Sequence, residues 1–194
     1  MSNPLAVILH GACDREEYFS ERYPSLSNSH WLPWLQKQLL MAGYDAQSPE
    51  MPEAYLPDYA KWAHVFERMA PDLSESSILI GHSCGGGFFL RWLSEHQLRI
   101  NKLVLVAPWI DPDKRRAQGT FFDFSPDPSL TQRMRVELLA STNDAADVQE
   151  SVNIIRAKIP NIRYHEFKDY GHFCFSDMNT EVFPELREIV LAKL

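Results

Sequence analysis

The densest concentration of chemistry in the chain is the run Gly81-His82-Ser83-Cys84-Gly85-Gly86-Gly87, set between the apolar stretch 78–80 and an amphipathic one. Gly81-x-Ser83-x-Gly85 is the pattern of a nucleophile elbow, a sharp strand-to-helix turn that lifts a serine hydroxyl clear of a sheet. The residue types follow from the geometry. The turn strains the backbone at the serine, so the neighbours two residues away must be small. The helix that follows aims its first N–H groups at the negative charge developing on an attacked carbonyl oxygen. Gly86 and Gly87 let that helix lie close to the sheet. With 8 glycines in 194 residues, composition alone expects about 0.03 matches to this pattern, so an incidental serine in a glycine-rich turn is the weaker reading.

A serine hydroxyl is a poor nucleophile at neutral pH and needs a histidine base, itself oriented by a carboxylate. After an elbow of this kind the chain order is serine, acid, histidine. Of seven histidines, His172 lies in Tyr170-Gly171-His172-Phe173, past the last strand-like run and before the last helix-like one, where the base belongs. His10 and His82 fall in the turns, His165 falls within a strand, and His30, His64 and His96 read as surface residues on or beside helices. Asp144 sits just beyond the strand-like run 136–140 and is the preferred acid. Asp147 is the alternative, although it reads better as the cap of the helix that starts near Val148. The oxyanion would be held by the backbone N–H groups of Cys84 and Ala12, the latter in the loop His10-Gly11-Ala12-Cys13 after the first strand.

These loops need a scaffold that brings them to one edge. Short apolar runs alternate with amphipathic ones along the chain. Strands are expected at 5–9, 77–80, 103–106, 136–140 and 162–167, with a short edge strand at 44–47. Helices are expected at about 31–42, capped by Ser29 or Asn28 and followed by Gly43, and at 58–70, 84–96, 148–159 and about 180–194. The alternation predicts an α/β domain: a mostly parallel sheet covered by helices on both faces, with functional loops at the strands' carboxyl ends.

The charge balance narrows the function classes. Nineteen basic against 26 acidic residues leave a net charge of −7. The one basic cluster, Lys114-Arg115-Arg116, is too short for a nucleic-acid footprint, so no nucleic-acid partner is expected. No apolar run approaches a membrane span, and no cationic-then-apolar leader opens the chain. Three cysteines without a CxxC pair argue against a disulfide framework and for a reducing, cytoplasmic setting.

These residues resemble the α/β-hydrolase superfamily, and more closely the small serine hydrolases of the retinoblastoma-binding protein 9 and YdeN type. His30-Trp31-Leu32-Pro33-Trp34-Leu35, Met51-Pro52, Trp62 and Gly171-His172-Phe173 carry the resemblance beyond the elbow, over nearly the whole length. It implies a compact hydrolase core of five or six strands and a Ser-Asp-His triad carried onto Ser83, Asp144 and His172. Such proteins often have a proline soon after the acid, where this chain has Ala145 and Ala146.

The segment 108–131 follows a strand end and carries Trp109, Phe121 and Phe122 among prolines. These are candidate pocket-lining residues and could form a short apolar wall or flap, but the segment is too short for a separate lid. The expected activity is hydrolysis of small acyl esters without cofactor or metal. Each cysteine follows a histidine closely, at His10/Cys13, His82/Cys84 and His172/Cys174. Convergence on a metal is not expected, whereas inhibition by thiol reagents would follow if the thiols crowd the site. The competing class is an interaction module that keeps the fold and binds an unidentified protein through the aromatics at Phe121, Phe122 and Phe124.

Overall fold

The computed structural model describes residues 3–114 and 120–192. Arg115 and Arg116 of the basic cluster, and residues 117–119 of the expected flap, lie outside the described residues. Six strands form one sheet: β1 Leu5–Leu9, β2 Asp45–Gln47, β3 Ile78–His82, β4 Lys102–Val106, β5 Arg135–Ser141 and β6 Arg163–Phe167. Their order is β2-β1-β3-β4-β5-β6 and every pairing is parallel. Central strands of a parallel sheet are covered on both faces, which explains the uninterrupted apolar runs of β1, β3 and β4. The edge strand β6 reads Arg-Tyr-His-Glu-Phe and is half-exposed along its length.

The chain runs outward from β1 to β2 and returns past β1 to β3. The order therefore reverses between β1 and β3, and the loops leaving these two strands diverge. That is the switch point at which open α/β sheets form their crevice. His10-Gly11-Ala12 follows β1 and Ser83 follows β3.

Eight helices are described: α1 Arg15–Tyr18, α2 Leu32–Met41, α3 Tyr59–Met69, α4 Cys84–Glu95, α5 Leu130–Arg133, α6 Ala146–Lys158, α7 Phe175–Met178 and α8 Pro184–Leu191. Two aromatic clusters seat them. Trp62 and Phe66 of α3 meet Phe88 and Phe89 of α4 and Phe121 at ring separations of 5.2–5.8 Å. Trp31, just before α2, meets Phe183, just before α8, and Phe183 stacks on Phe173. Such pairs add to the burial of large apolar rings.

Element ends deviate from the sequence pattern for local reasons. Ser29 and Asn28 do not cap α2. Both are spent on a 3-10 turn at Leu26–Asn28, Ser29 Oγ donating to the Ser25 carbonyl and the Asn28 amide to Ser25 Oγ. Trp31 holds the N-cap position, and its side chain makes no bond to the first turn of the helix. The last helix begins at Pro184 rather than near residue 180, because a residue preceding proline is pushed out of helical conformation; Phe183 sits at φ −129°, ψ 76°. Asp58, by contrast, caps α3 by accepting from the Lys61 N–H at 2.9 Å.

Lys102, at the start of β4, is buried. Its ammonium donates to the carbonyls of Ile189, Val190 and Ala192 at 2.7, 2.7 and 3.0 Å, closing the C-terminal end of α8. Lys102→Met keeps the side-chain length and leaves those carbonyls without this donor. We expect a loss of about 1–3 kcal/mol in urea denaturation, with activity per folded molecule unchanged.

Candidate active site

Ser83 stands between β3 and α4 at φ 52°, ψ −120°, a region costly for a residue with a Cβ. The surroundings enforce it. Ser83 N–H donates to the Val106 carbonyl at 2.9 Å, and its own carbonyl accepts from Gly87 and Trp109 N–H at 3.2 and 3.1 Å. A Cβ on Gly81 would lie 2.5 Å from the Gly86 nitrogen, and one on Gly85 would strike the His10 carbonyl oxygen. Both obstacles are backbone, so they cannot swing aside. The glycine spacing read in the sequence is thus a packing requirement.

His172 and Asp144 meet across the loops that leave β5 and β6. Imidazole Nδ1 lies 3.0 Å from each Asp144 carboxylate oxygen. A carboxylate only accepts, so Nδ1 carries the proton and Nε2 is left as the acceptor nitrogen. Asp144 is buried, and its Oδ1 also accepts from the Ala145 N–H at 2.7 Å. Asn143 Oδ1 accepts from Gly171 N–H and the Ser141 hydroxyl, while Ser141 Oγ accepts from Tyr170 N–H. The two loops are stapled together by these side chains.

Ala12, Ser83, Trp109, Asp144 and His172 line one cleft of about 710 Å³, joined by Asp14, Glu17, Tyr55 and Asp147. A second cavity of about 480 Å³ opens elsewhere, among Arg99, Arg133, Arg135 and Arg163, and holds none of these groups. The Ser83 hydroxyl makes no hydrogen bond to a described residue, so serine and imidazole share the cleft without a direct bond. In ligand-free sites such bonds commonly form only when substrate is present.

The expected oxyanion donors have distinct supports. Cys84 is the first residue of α4, so its N–H has no acceptor within the helix. Ala12 lines the cleft, and the orientation of its peptide is set by His10. His10 Nε2 accepts from Met51 N–H at 2.8 Å, so Nδ1 carries the proton and donates to the Gly11 carbonyl at 2.7 Å. The Gly11 carbonyl and the Ala12 N–H belong to one planar peptide, so fixing one fixes the other.

Several sequence readings need correction. Asp147 does not cap α6; Ala145 holds that position, and the Asp147 carboxylate accepts from Trp109 Nε1–H at 3.1 Å. Phe121 does not line the cleft but lies in the core against Trp62 and Phe88. Phe122 is also off the cleft wall and packs edge-on to Trp109 at 5.2 Å. An aperiodic loop gives no sequence cue to which way its rings turn. His30 is not a free surface residue: its Nδ1 accepts from Phe175 N–H and its ring lies 5.8 Å from that of His82. His82 itself is buried, with Nε2 at 2.8 Å from the His172 carbonyl. Only its place beside the serine hinted at this.

The cleft is acidic. Burial and the neighbouring Asp14 raise the Glu17 carboxyl above its ordinary value. Burial first, and then Glu17, Asp14 and Glu50, push the Cys13 thiol up to about 12. Cys174 is likewise pushed up to about 12 by burial, Asp177, Asp144 and Glu17. Thiols held protonated react slowly with alkylating agents.

Solved structures share this fold. The Bacillus subtilis ydeN gene product overlays with a TM-score of 0.74 and 21% identity, covering 96% of each chain. Carboxylesterase CesB (YbfK) of Bacillus subtilis overlays with a TM-score of 0.58 and 16% identity, covering 99% of this chain and 85% of that one. The fold is that of the α/β-hydrolases, with no large lid among the described residues. A model of the Serine hydrolase family matches residues 23–178, and the chain belongs to that family. Serine hydrolase RBBP9 of Rattus norvegicus is 27% identical over 177 residues, which cover 84% of this chain and 86% of that protein. YdeN of Bacillus subtilis (strain 168) is 33% identical over 95 residues, and this alignment spans 48% of the chain and only half, 50%, of YdeN.

Gly85→Ala tests the packing of the elbow. Its new methyl group must displace the His10 carbonyl, so we expect the melting temperature to fall by more than about 5 °C. Hydrolase activity should be lost together with it.

Proposed function

We propose that this hydrolase cleaves small carboxylic esters through an acyl-enzyme, with Ser83 as nucleophile, His172 as base and Asp144 as the group that orients the imidazole. The observation that carries this reading is the His172 Nδ1–H held between both Asp144 oxygens at 3.0 Å, beside a serine on a strained turn in the same cleft. Ser83 Oγ attacks the carbonyl carbon as its proton passes to His172 Nε2. The tetrahedral oxyanion is met by the Cys84 and Ala12 N–H groups. Collapse expels the alkoxide, which takes the proton from the imidazolium. Water, deprotonated by the same nitrogen, then releases the acid and restores Ser83. Neither a metal nor a cofactor has a step in this cycle.

The lack of a large lid among the described residues favours small acyl groups. An ester substrate is compatible with the occurrence of a carboxylesterase among the structures of this fold. The three free thiols fit a reducing compartment. An interaction module would need its aromatics on offer, but Phe121 is buried and Phe122 and Phe124 are half-buried against the core.

Labelling with a fluorophosphonate probe tests the assignment. The wild-type chain should label and Ser83→Ala should not, with kcat on p-nitrophenyl acetate falling by more than about 10³-fold in that variant. Asp144→Asn should lose on the order of 10²–10⁴-fold in kcat, because an amide no longer fixes the imidazole tautomer. Asp147→Asn should stay within a few-fold of wild type. Labelling that survives in Ser83→Ala, or an Asp147 variant weaker than the Asp144 one, would reject the assignment.

The carboxylates of Asp14, Glu17 and Asp147 predict selection by charge. An ester bearing a second, ionised carboxylate should show kcat/KM about tenfold below that of a neutral ester of equal length. The gap should narrow in Glu17→Gln and at high salt. Equal rates for both esters would reject a role for the acidic wall.

A further inference from the structure

Catalysis by a serine and a histidine from distant stretches of chain depends on how the histidine's backbone is placed, as well as on the bond that orients its ring. Asp144 accounts for the ring. The backbone of the loop around His172 is held differently. The His172 carbonyl lies 2.8 Å from His82 Nε2, the Phe173 carbonyl accepts from Trp31 Nε1–H at 3.1 Å, and the Phe175 N–H donates to His30 Nδ1 at 3.1 Å. Three ring nitrogens from two other segments therefore hold consecutive stations of this loop.

His82 is distinct among the three because its neighbour in sequence is Ser83. A carbonyl oxygen can only accept, so His82 Nε2 carries the proton. The residue is buried at 3% exposure. Burial first, and then the nearby His172 and His30, keep it well below the usual imidazole range, so it remains neutral beside a base that charges during turnover. Its ring centroid is 5.1 Å from that of His172 and 5.6 Å from that of Trp31. The direct path from nucleophile to base thus runs through one residue and one hydrogen bond. The alternative path crosses β3, β4, β5 and β6 in turn.

We propose that His82 is a positioning residue for the reaction: its Nε2–H sets the backbone of His172 relative to Ser83, so that imidazole Nε2 lies within reach of the serine hydroxyl when substrate is bound. The role rests on the assignment of Ser83 and His172 made above. It needs a donor at one reach from the Cα, and it does not need an ionisable group.

Three variants separate this from a general packing role. His82→Leu fills similar volume without a donor. His82→Gln carries an amide N–H about as far from Cα as the imidazole Nε2, whereas the amide of His82→Asn falls short. With p-nitrophenyl acetate, we expect His82→Leu to lose roughly 10- to 100-fold in kcat with KM changed less than about threefold, since a misplacement near 1 Å costs that much. Fluorophosphonate labelling of Ser83 should slow in parallel. His82→Gln should recover kcat to within a few-fold of wild type, and His82→Asn should not. Full kcat in His82→Leu overturns the proposal, as does equal activity of the Gln and Asn variants at equal melting temperature. If His82→Leu does not fold, the Gln–Asn comparison decides alone. Ser83→Ala, measured alongside, separates the two levels: activity surviving there rejects the underlying assignment, whereas activity lost there but intact in His82→Leu rejects only the role of His82.

Discussion

A single residue held against its conformational preference organises this end of the molecule. Ser83 at φ 52°, ψ −120° gains nothing locally from that backbone. It stays there because α4 is packed so closely on β3 at position 81, and on the end of β1 at position 85, that only glycine fits at either, and because its peptide groups are bonded to Val106, Gly87 and Trp109. Strain of this kind persists only where the surroundings over-determine it. The same closeness presses Gly85 against the loop after β1, so the turn that exposes the serine also sets the distance to the peptide of Gly11 and Ala12.

Around that turn the other loops are pinned by side chains rather than by sheet ladders. His10 holds one peptide, Asn143 and Ser141 join the loops after β5 and β6, and His82, Trp31 and His30 hold the segment after His172. A backbone ladder would fix these loops but would also bury their polar groups in sheet. Side-chain bonds fix them while leaving the cleft open. The arrangement concentrates precision at the carboxyl ends of the strands, where the chain reverses its order across the sheet.

Much of this was legible in the sequence, and for identifiable reasons. β1, β3 and β4 declare themselves because a parallel strand covered on both faces leaves no place for alternation. Glycine spacing marked the elbow because a Cβ there would meet backbone. Asp144 and His172 were singled out by position, each past a strand end, and the structure brings the two side chains to 3.0 Å of one another. What stayed hidden was contact between distant residues. Nothing in the spacing of His82 and His172 foretells a bond across 90 positions, and nothing in a proline-broken loop shows that Phe121 turns inward. The helices α1, α5 and α7, of four residues each, are about one helical period long and so leave no repeat to detect. Local propensity favoured Asp147 as a cap, but α6 begins at Ala146, and the Asp147 carboxylate accepts from Val148 N–H and Trp109 Nε1–H.

The two half-buried thiols near the cleft have a consequence of their own. The thiolate, not the thiol, attacks peroxides and glutathione disulfide, and Cys13 and Cys174, pushed up to about 12, are disfavoured as thiolates near neutrality. Burial first, and then their carboxylate neighbours, thus disfavour sulfenic acid formation and mixed-disulfide capping. A partly buried, acidic lining of this kind disfavours thiolate chemistry in and beside the cleft.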